Sequence, residues 1–193
     1  MPTEPQSPSA SGIQLAKLWL LAGKSLPVDV KELALEYSSK KPDPITKIAG
    51  HSVSGIDGML VQRSEKKCWY ILYQENIDVP GRINFTLAHE LGHYVLHRSR
   101  QEEFRCDQTK LLAYGDTASL AYEAEANRFA SYLLMPIDDF RAQVGKEIAS
   151  LDLLGHCADR YQVSFTAATL KWLEFTDEAA MVVVARDGFV CWS

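Results

Sequence analysis

Cysteine is scarce in this chain of 193 residues, and what there is stands too far apart to crosslink a small fold. Cys68, Cys106, Cys157 and Cys191 form no CxxC pair and are irregularly spaced. A disulfide framework is denser, and a zinc ribbon needs close pairs, so the four read as reduced thiols packed as small apolar groups. Long hydrophobic runs are missing as well. LWLLAG at 18–23 is far too short to span a bilayer. The amino terminus lacks a basic stretch followed by an apolar one, so no signal peptide is expected. Neither charge sign dominates: twenty Lys and Arg stand against twenty-five Asp and Glu, a formal charge of −5. That argues against broad, charge-driven binding to nucleic acid or to an acidic membrane. A cytoplasmic, reducing setting with no membrane contact is the expectation, and no internal repeat is evident.

Apolar residues make up 47% of the chain, enough for one compact domain, or a domain with a small appendage, to bury a core. The pattern predicts an α+β fold. Residues 1–12, rich in Pro, Ser and small polar side chains, are expected to be disordered. Helices are predicted near 13–23 and 28–38, the second opening after Pro27 with Asp29 close to its start. Pro42 and Pro44 then break the pattern, and 45–49 and 56–63 read as strands. CWYILY at 68–73 is a third, with RSEKK before it as a hairpin turn. A turn at DVPGR leads into a helix carrying HELGH. Residues 98–117, polar with both charge signs, read as a surface excursion. Helical periodicity returns over 118–134, stops at MP, and resumes over about 137–174. MVVVARDGFVCWS alternates like a hairpin turning at RDG, and ending there resembles a chain cut from a longer protein. The division expected is a disordered start (1–12), a core (13–136), and a helical segment with terminal hairpin packed on it (137–193).

The chemistry is concentrated in FTLAHELGHYVLH, residues 85–97. Residues four apart on a helix differ by about 40° in azimuth and about 6 Å in rise. His89 and His93 therefore project from one face and can reach one ion at the usual nitrogen–zinc distance. Glu90, one step round, is placed to take a proton from water rather than to bind the metal. Leu87, Ala88, Leu91 and Val95 make an apolar stripe. Gly92 inside it, at a cost of about 1 kcal/mol against Ala, predicts close approach by another backbone.

Catalytic zinc has three protein ligands, and the third is sought in YEAEANRFASYLLMP, residues 122–136. Glu123 and Asn127 are four apart and share a face with the small residues Ala126 and Ala130. Glu123 is the expected ligand. Asn127, one turn on, is expected to hold a ligand imidazole or the glutamate by a hydrogen bond. Glu125 faces elsewhere, by roughly 200° of helical turn, and reads as a solvated glutamate.

These two motifs, in this order, resemble the ImmA/IrrE metallopeptidase family, from about residue 25 to the carboxyl end. The resemblance implies a zincin-like core: a small twisted β-sheet, the HExxH helix and a Glu-bearing helix. It implies zinc held by His89, His93 and Glu123, and Glu90 as catalytic base. It also implies an endopeptidase that cleaves DNA-binding repressors, as members do in conjugative elements, in phages and in a response to radiation damage. Manganese or iron also suits two histidines and a carboxylate. For the oxyanion donor, Tyr94, Tyr122, His97 and His156 are all open. The hairpin strand before the site is expected to pair with an extended substrate, as in zincins generally.

Other residues weigh less. His97 lies about 12 Å along the helix from His89, too far to share its ion, so a structural or supporting place is expected. The metzincin position for a third histidine is Ser99. His51 reads as a solvated turn residue, and Cys106 as an inert thiol with a thiolate cap on the metal as the alternative. CADRYQVSFTAATLKWL, 157–173, resembles a helix-turn-helix. Its second helix offers only Lys171 for DNA, and the window 150–175 nets −1, Arg160 and Lys171 against Asp152, Asp159 and Glu174. A scaffold or protein-docking surface is therefore expected, and direct DNA contact is not. The leading function is a zinc endopeptidase acting on a helix-turn-helix repressor. Its rival is a metal-containing protein that sequesters a repressor or toxin without cutting it.

Overall fold

The computed structural model describes residues 7–52, 55–106, 117–145 and 149–192. Helix α1 (Pro8–Leu21) begins earlier than predicted. Ser7 caps it, its Oγ accepting from the Ala10 amide at 3.2 Å, and Pro8 fits the first turn because no partner is needed for its missing N–H. Residues 8–12, expected to be disordered, are therefore helical; polar composition masked a cap-and-proline start. Helix α2 (Val30–Ser38) is capped by Asp29, which accepts from the Glu32 amide at 3.0 Å.

Four strands form one mixed sheet in the order β1 (Ile45–His51), β3 (Cys68–Gln74), β2 (Gly58–Arg63), β4 (Glu103–Cys106). β1 runs parallel to β3, and the other pairings are antiparallel. The hairpin at RSEKK forms as predicted, with Lys67 at a φ of 48°. Two expectations fail. The supposed excursion contributes β4, whose short alternation Glu-Phe-Arg-Cys was hidden by its charges; residues 107–116 lie outside the described residues. Both hairpin strands are internal, so neither has a free edge for a substrate, and among the described residues the outer strands are β1 and β4. His51 is the last residue of β1, opposite Gln74, not a turn residue.

Register aligns Ile71, Leu60 and Phe104 across three strands. All three are buried, and a fully buried side chain of this kind contributes about 1.5–3 kcal/mol. Helix α3 (Pro80–Leu96) lies between this sheet and helix α4 (Thr117–Leu134), so residues 86–94 are buried without interruption. Helix α1 also crosses α4 closely: a Cβ on Gly12 would lie 2.6 Å from the Phe129 carbonyl oxygen.

The helical stretch 137–174 comprises α5 (Ile137–Val144), α6 (Leu151–Tyr161) and α7 (Phe165–Leu173), the last two meeting at the turn expected within 157–173. Gly145 at a φ of 55° ends the first, and Gln162 in the left-handed region ends the second. A single apolar core runs from Leu15 and Trp69 through Leu133 to Phe140, Tyr161 and Ala168. The carboxyl-terminal hairpin pairs β5 (Val184–Arg186) with β6 (Phe189–Trp192). Asp187 and Gly188 take positive φ at its turn, the backbone a tight two-residue hairpin needs. Among the described residues no helix is long and apolar enough to cross a membrane.

Candidate metal centre

Close packing of α3 on α4 builds the site. A Cβ on Gly92 would lie 2.9 Å from Phe129 Cδ1 and 3.3 Å from the Ala126 Cα and carbonyl oxygen, the close backbone approach its glycine predicted. Only at that separation can side chains from both helices meet. His89 and His93 bring their Nε2 atoms to 3.0 Å. Glu123 Oε2 lies 3.1 Å from His89 Nε2, and its Oε1 lies 3.4 Å from His93 Nε2. His93 is wholly buried and His89 is 2% exposed, whereas 26% of the Glu123 side chain is exposed. The cluster therefore meets solvent on the Glu123 side.

The outer ring nitrogens decide which electrons face inward. Asn127 Oδ1 lies 2.9 Å from His89 Nδ1. An amide oxygen only accepts, so His89 Nδ1 carries a proton and donates it to Asn127, while Nε2 faces the cluster. His93 Nδ1 lies 3.0 Å from His97 Nδ1, and His97 Nε2 lies 2.8 Å from Glu125 Oε2. Glu125 is thus bound to His97, not simply solvated as expected, although 46% of its side chain is exposed. Burial pushes the His93 imidazolium down to about 4, against the opposing pull of Glu123. For Glu123 burial acts to raise the carboxyl, but its contacts with both imidazoles prevail and hold it well below the usual range. Burial thus favours a neutral His93, and Glu123 is held as a carboxylate.

That donor set fits a divalent cation. Tetrahedral ligands about 2.0–2.1 Å from zinc stand about 3.3–3.4 Å apart, close to the separations found here. Two imidazole nitrogens 3.0 Å apart need a shared proton or a cation between them. His89, His93 and Glu123 together could hold a metal ion.

Glu90 has no exposed surface, and neither carboxyl oxygen has a hydrogen-bond partner among the described residues. It lies over β2, where a Cβ on Gly58 would come within 2.6 Å of Glu90 Oε1. Burial first, then the Glu123 charge, raises its carboxyl well above the ordinary range. The open oxyanion candidates are engaged elsewhere. Tyr94 donates to the Asp43 carbonyl at 3.0 Å, His97 joins His93 to Glu125, and Tyr122 accepts from Arg100 at 3.1 Å. His156 pairs with Gln143 at 3.0 Å. The Cys106 side chain lies outside the described residues. Cys68 and Cys157 are free, buried thiols.

Sequence reasoning missed Phe104 and Gly58. Phe104 stacks on His93, ring centroids 4.6 Å apart at 18°. Alternation in EFRC was the available signal for the first, and a glycine at the mouth of a predicted strand for the second.

The family model for a peptidase group described as the IrrE N-terminal-like domain matches residues 52–173. The chain belongs to this family. Its mixed sheet and helices suit a zincin-like domain, and its peptidase family is one of metallopeptidases. A solved structure from Mycobacterium tuberculosis, titled a transcriptional regulator, superposes at a TM-score of 0.54 with 14% identity, over 88% of this chain and 47% of that one. The likeness is one of fold, and this chain spans about half the length of that protein. No curated protein matches the sequence.

Proposed function

We propose that this member of the IrrE-like family is a zinc-dependent endopeptidase of the cytoplasm that cleaves a DNA-binding repressor. Residues 13–136 form its catalytic core, with 137–193 packed on it. His89, His93 and Glu123 would hold the ion, manganese being the alternative, and Asn127 orients His89. The observation that carries the reading is the meeting of three electron-pair donors from two helices beside a buried, unpartnered glutamate.

A divalent cation in this place supplies Lewis acidity, acidifying water and polarising a scissile carbonyl. Glu90 accepts the proton of the attacking water at a carboxyl oxygen and delivers it to the departing amine nitrogen. Burial raises its affinity for protons, the direction a general base requires. Its burial keeps bulk water from competing.

The test incubates zinc-loaded chain with candidate helix-turn-helix repressors and follows their masses. Wild type should yield two fragments, and Glu90→Gln should cut about 10²–10⁴-fold more slowly. Equal cutting by both would remove Glu90 from the mechanism. Tight binding with an unchanged mass would turn the reading towards sequestration.

A further inference from the structure

The two histidines that face the centre are held from behind by different means. Asn127 reaches His89 directly. No amide stands behind His93; His97 occupies that place, one helical turn on, and Glu125 stands behind His97. With His97 as the neutral imidazole, the hydrogen-bond directions follow. A carboxylate accepts, so His97 Nε2 carries a proton towards Glu125. His97 Nδ1 is then the acceptor and His93 Nδ1 the donor, which leaves the His93 Nε2 lone pair pointing at Glu123. Packing locks the rings in this order. Phe104 stacks on His93 and Tyr122 lies against His97, ring centroids 4.7 Å apart. His97 itself is 1% exposed.

We propose that His97 and Glu125 are positioning residues, a two-step relay that fixes the tautomer and ring angle of His93 as Asn127 fixes those of His89. Helix α4 then serves the centre three times, through Glu123 at the ion and through Asn127 and Glu125 behind the two imidazoles. This rests on the metal reading above, and it assigns to the outer pair a role in holding the ion that does not depend on cleavage.

The experiment measures zinc affinity by competition with a chromophoric chelator, and the visible absorption of the cobalt(II)-loaded chain. Removing the partner behind a ligating histidine weakens metal binding by roughly 10–100-fold. His97→Leu should show that loss and an altered cobalt spectrum. His97→Asn returns an acceptor at the Nδ1 position, and should recover affinity to within roughly threefold with the wild-type spectrum. Glu125→Leu should weaken zinc by roughly tenfold while Glu125→Gln, still an acceptor, stays near wild type. The losses of His97→Leu and Glu125→Leu should not add, because the two act in series.

Equal affinity for His97→Leu and His97→Asn, or full affinity in Glu125→Leu, overturns the relay. Should His97→Leu fail to fold, the half-exposed Glu125 pair decides alone. Glu123→Gln separates the two claims. If it keeps wild-type affinity the metal reading fails, whereas if it loses zinc and the Glu125 pair does not differ, only the relay fails.

Discussion

Helices α3 and α4 on one side, and α5 to α7 on the other, treat buried polar groups in opposite ways. In the carboxyl-terminal group no buried side-chain polar atom is left unpartnered among the described residues. Arg160 forks onto Asp139 with two contacts of 2.8 Å, and Tyr161 donates to the same carboxylate at 2.6 Å. Lys171, its side chain wholly buried, meets Glu174 at 3.0 Å and lies 3.2 Å from the centroid of the Tyr132 ring. Between α3 and α4 the outer bonds are equally well closed, through Asn127 and Glu125, but the inner ones are not. The two imidazole Nε2 atoms converge to 3.0 Å, and Glu90 keeps both oxygens unpartnered among the described residues. Ser11 and Asp43 each leave one buried oxygen unpartnered elsewhere, and among the described residues only Glu90 leaves a whole carboxyl so. Polar groups that hold a fold are saturated, and groups kept for an outside atom are not.

The sharpest way to break this contrast is to make Glu90 apolar. Glu90→Met keeps the volume and removes the unpartnered carboxyl. The metal-free chain should gain about 1–3 kcal/mol in urea unfolding, while repressor cutting disappears. A loss of stability would mean that the glutamate supports the fold, and the contrast would fail. Gly58→Ala comes next. Its Cβ would lie 2.5 Å from Thr86 Cγ2 and 2.6 Å from Glu90 Oε1, and a β-branched threonine on a helix has little room to turn, so Glu90 must move. Cutting should fall about tenfold or more, with zinc affinity within about threefold of wild type, since no ligand is touched. Equal losses of both would place Gly58 under the ligands instead.

The contrast also marks what could be read in advance. Spacing of four on a helix was enough to select His89, His93, Glu123 and Asn127, because helical geometry is local. The hairpin at RSEKK and the turn at RDG were legible for the same reason. Glu125 was misread because its partner belongs to another helix: an azimuth of roughly 200° from Glu123 says nothing about what α3 carries at its end. β4 and Phe104 were missed because a four-residue strand is made by its neighbour β2, and its own charges suggested solvent. Within 137–174 the break before Ser164 was legible in the helix-turn-helix pattern, whereas the break at Gly145 was not, although glycine is the residue type that admits its positive φ.

In the saturated region, substitutions should cost stability and leave chemistry alone. Arg160 donates to Asp139 and, with Tyr161, holds the carboxyl below its ordinary range despite partial burial. Asp139→Asn should therefore lose about 1–2 kcal/mol, less than a fully buried pair because 35% of the Arg160 side chain is exposed. Cutting per folded molecule should not change. The sign with pH is fixed. A carboxyl bound more strongly when ionised stabilises the fold above its unfolded value of about 4, and that contribution is lost as pH falls through the lower folded value. The gap between wild type and Asp139→Asn should be constant near neutrality and close below about pH 4. A gap that widens in acid would reverse the assignment.

Lys171→Met should have the smallest effect. The residue looked like the one cation α7 could offer a nucleic acid, yet its ammonium is buried against Tyr132, with Phe175 also close at 5.0 Å from the ring centroid. Burial lowers its hold on the proton and Glu174 restores part of it. Methionine fills similar space and needs no desolvation, while Glu174, with 35% of its side chain exposed, can turn to water. The expected change in unfolding free energy is within about 1 kcal/mol of zero, smaller than for Asp139→Asn because no rigid fork of two hydrogen bonds is broken. If Lys171→Met proves the costlier of the two, the stack on Tyr132 contributes more to the α4–α7 junction than the paired charges do to α5–α6, and the order of importance within the saturated half must be reversed.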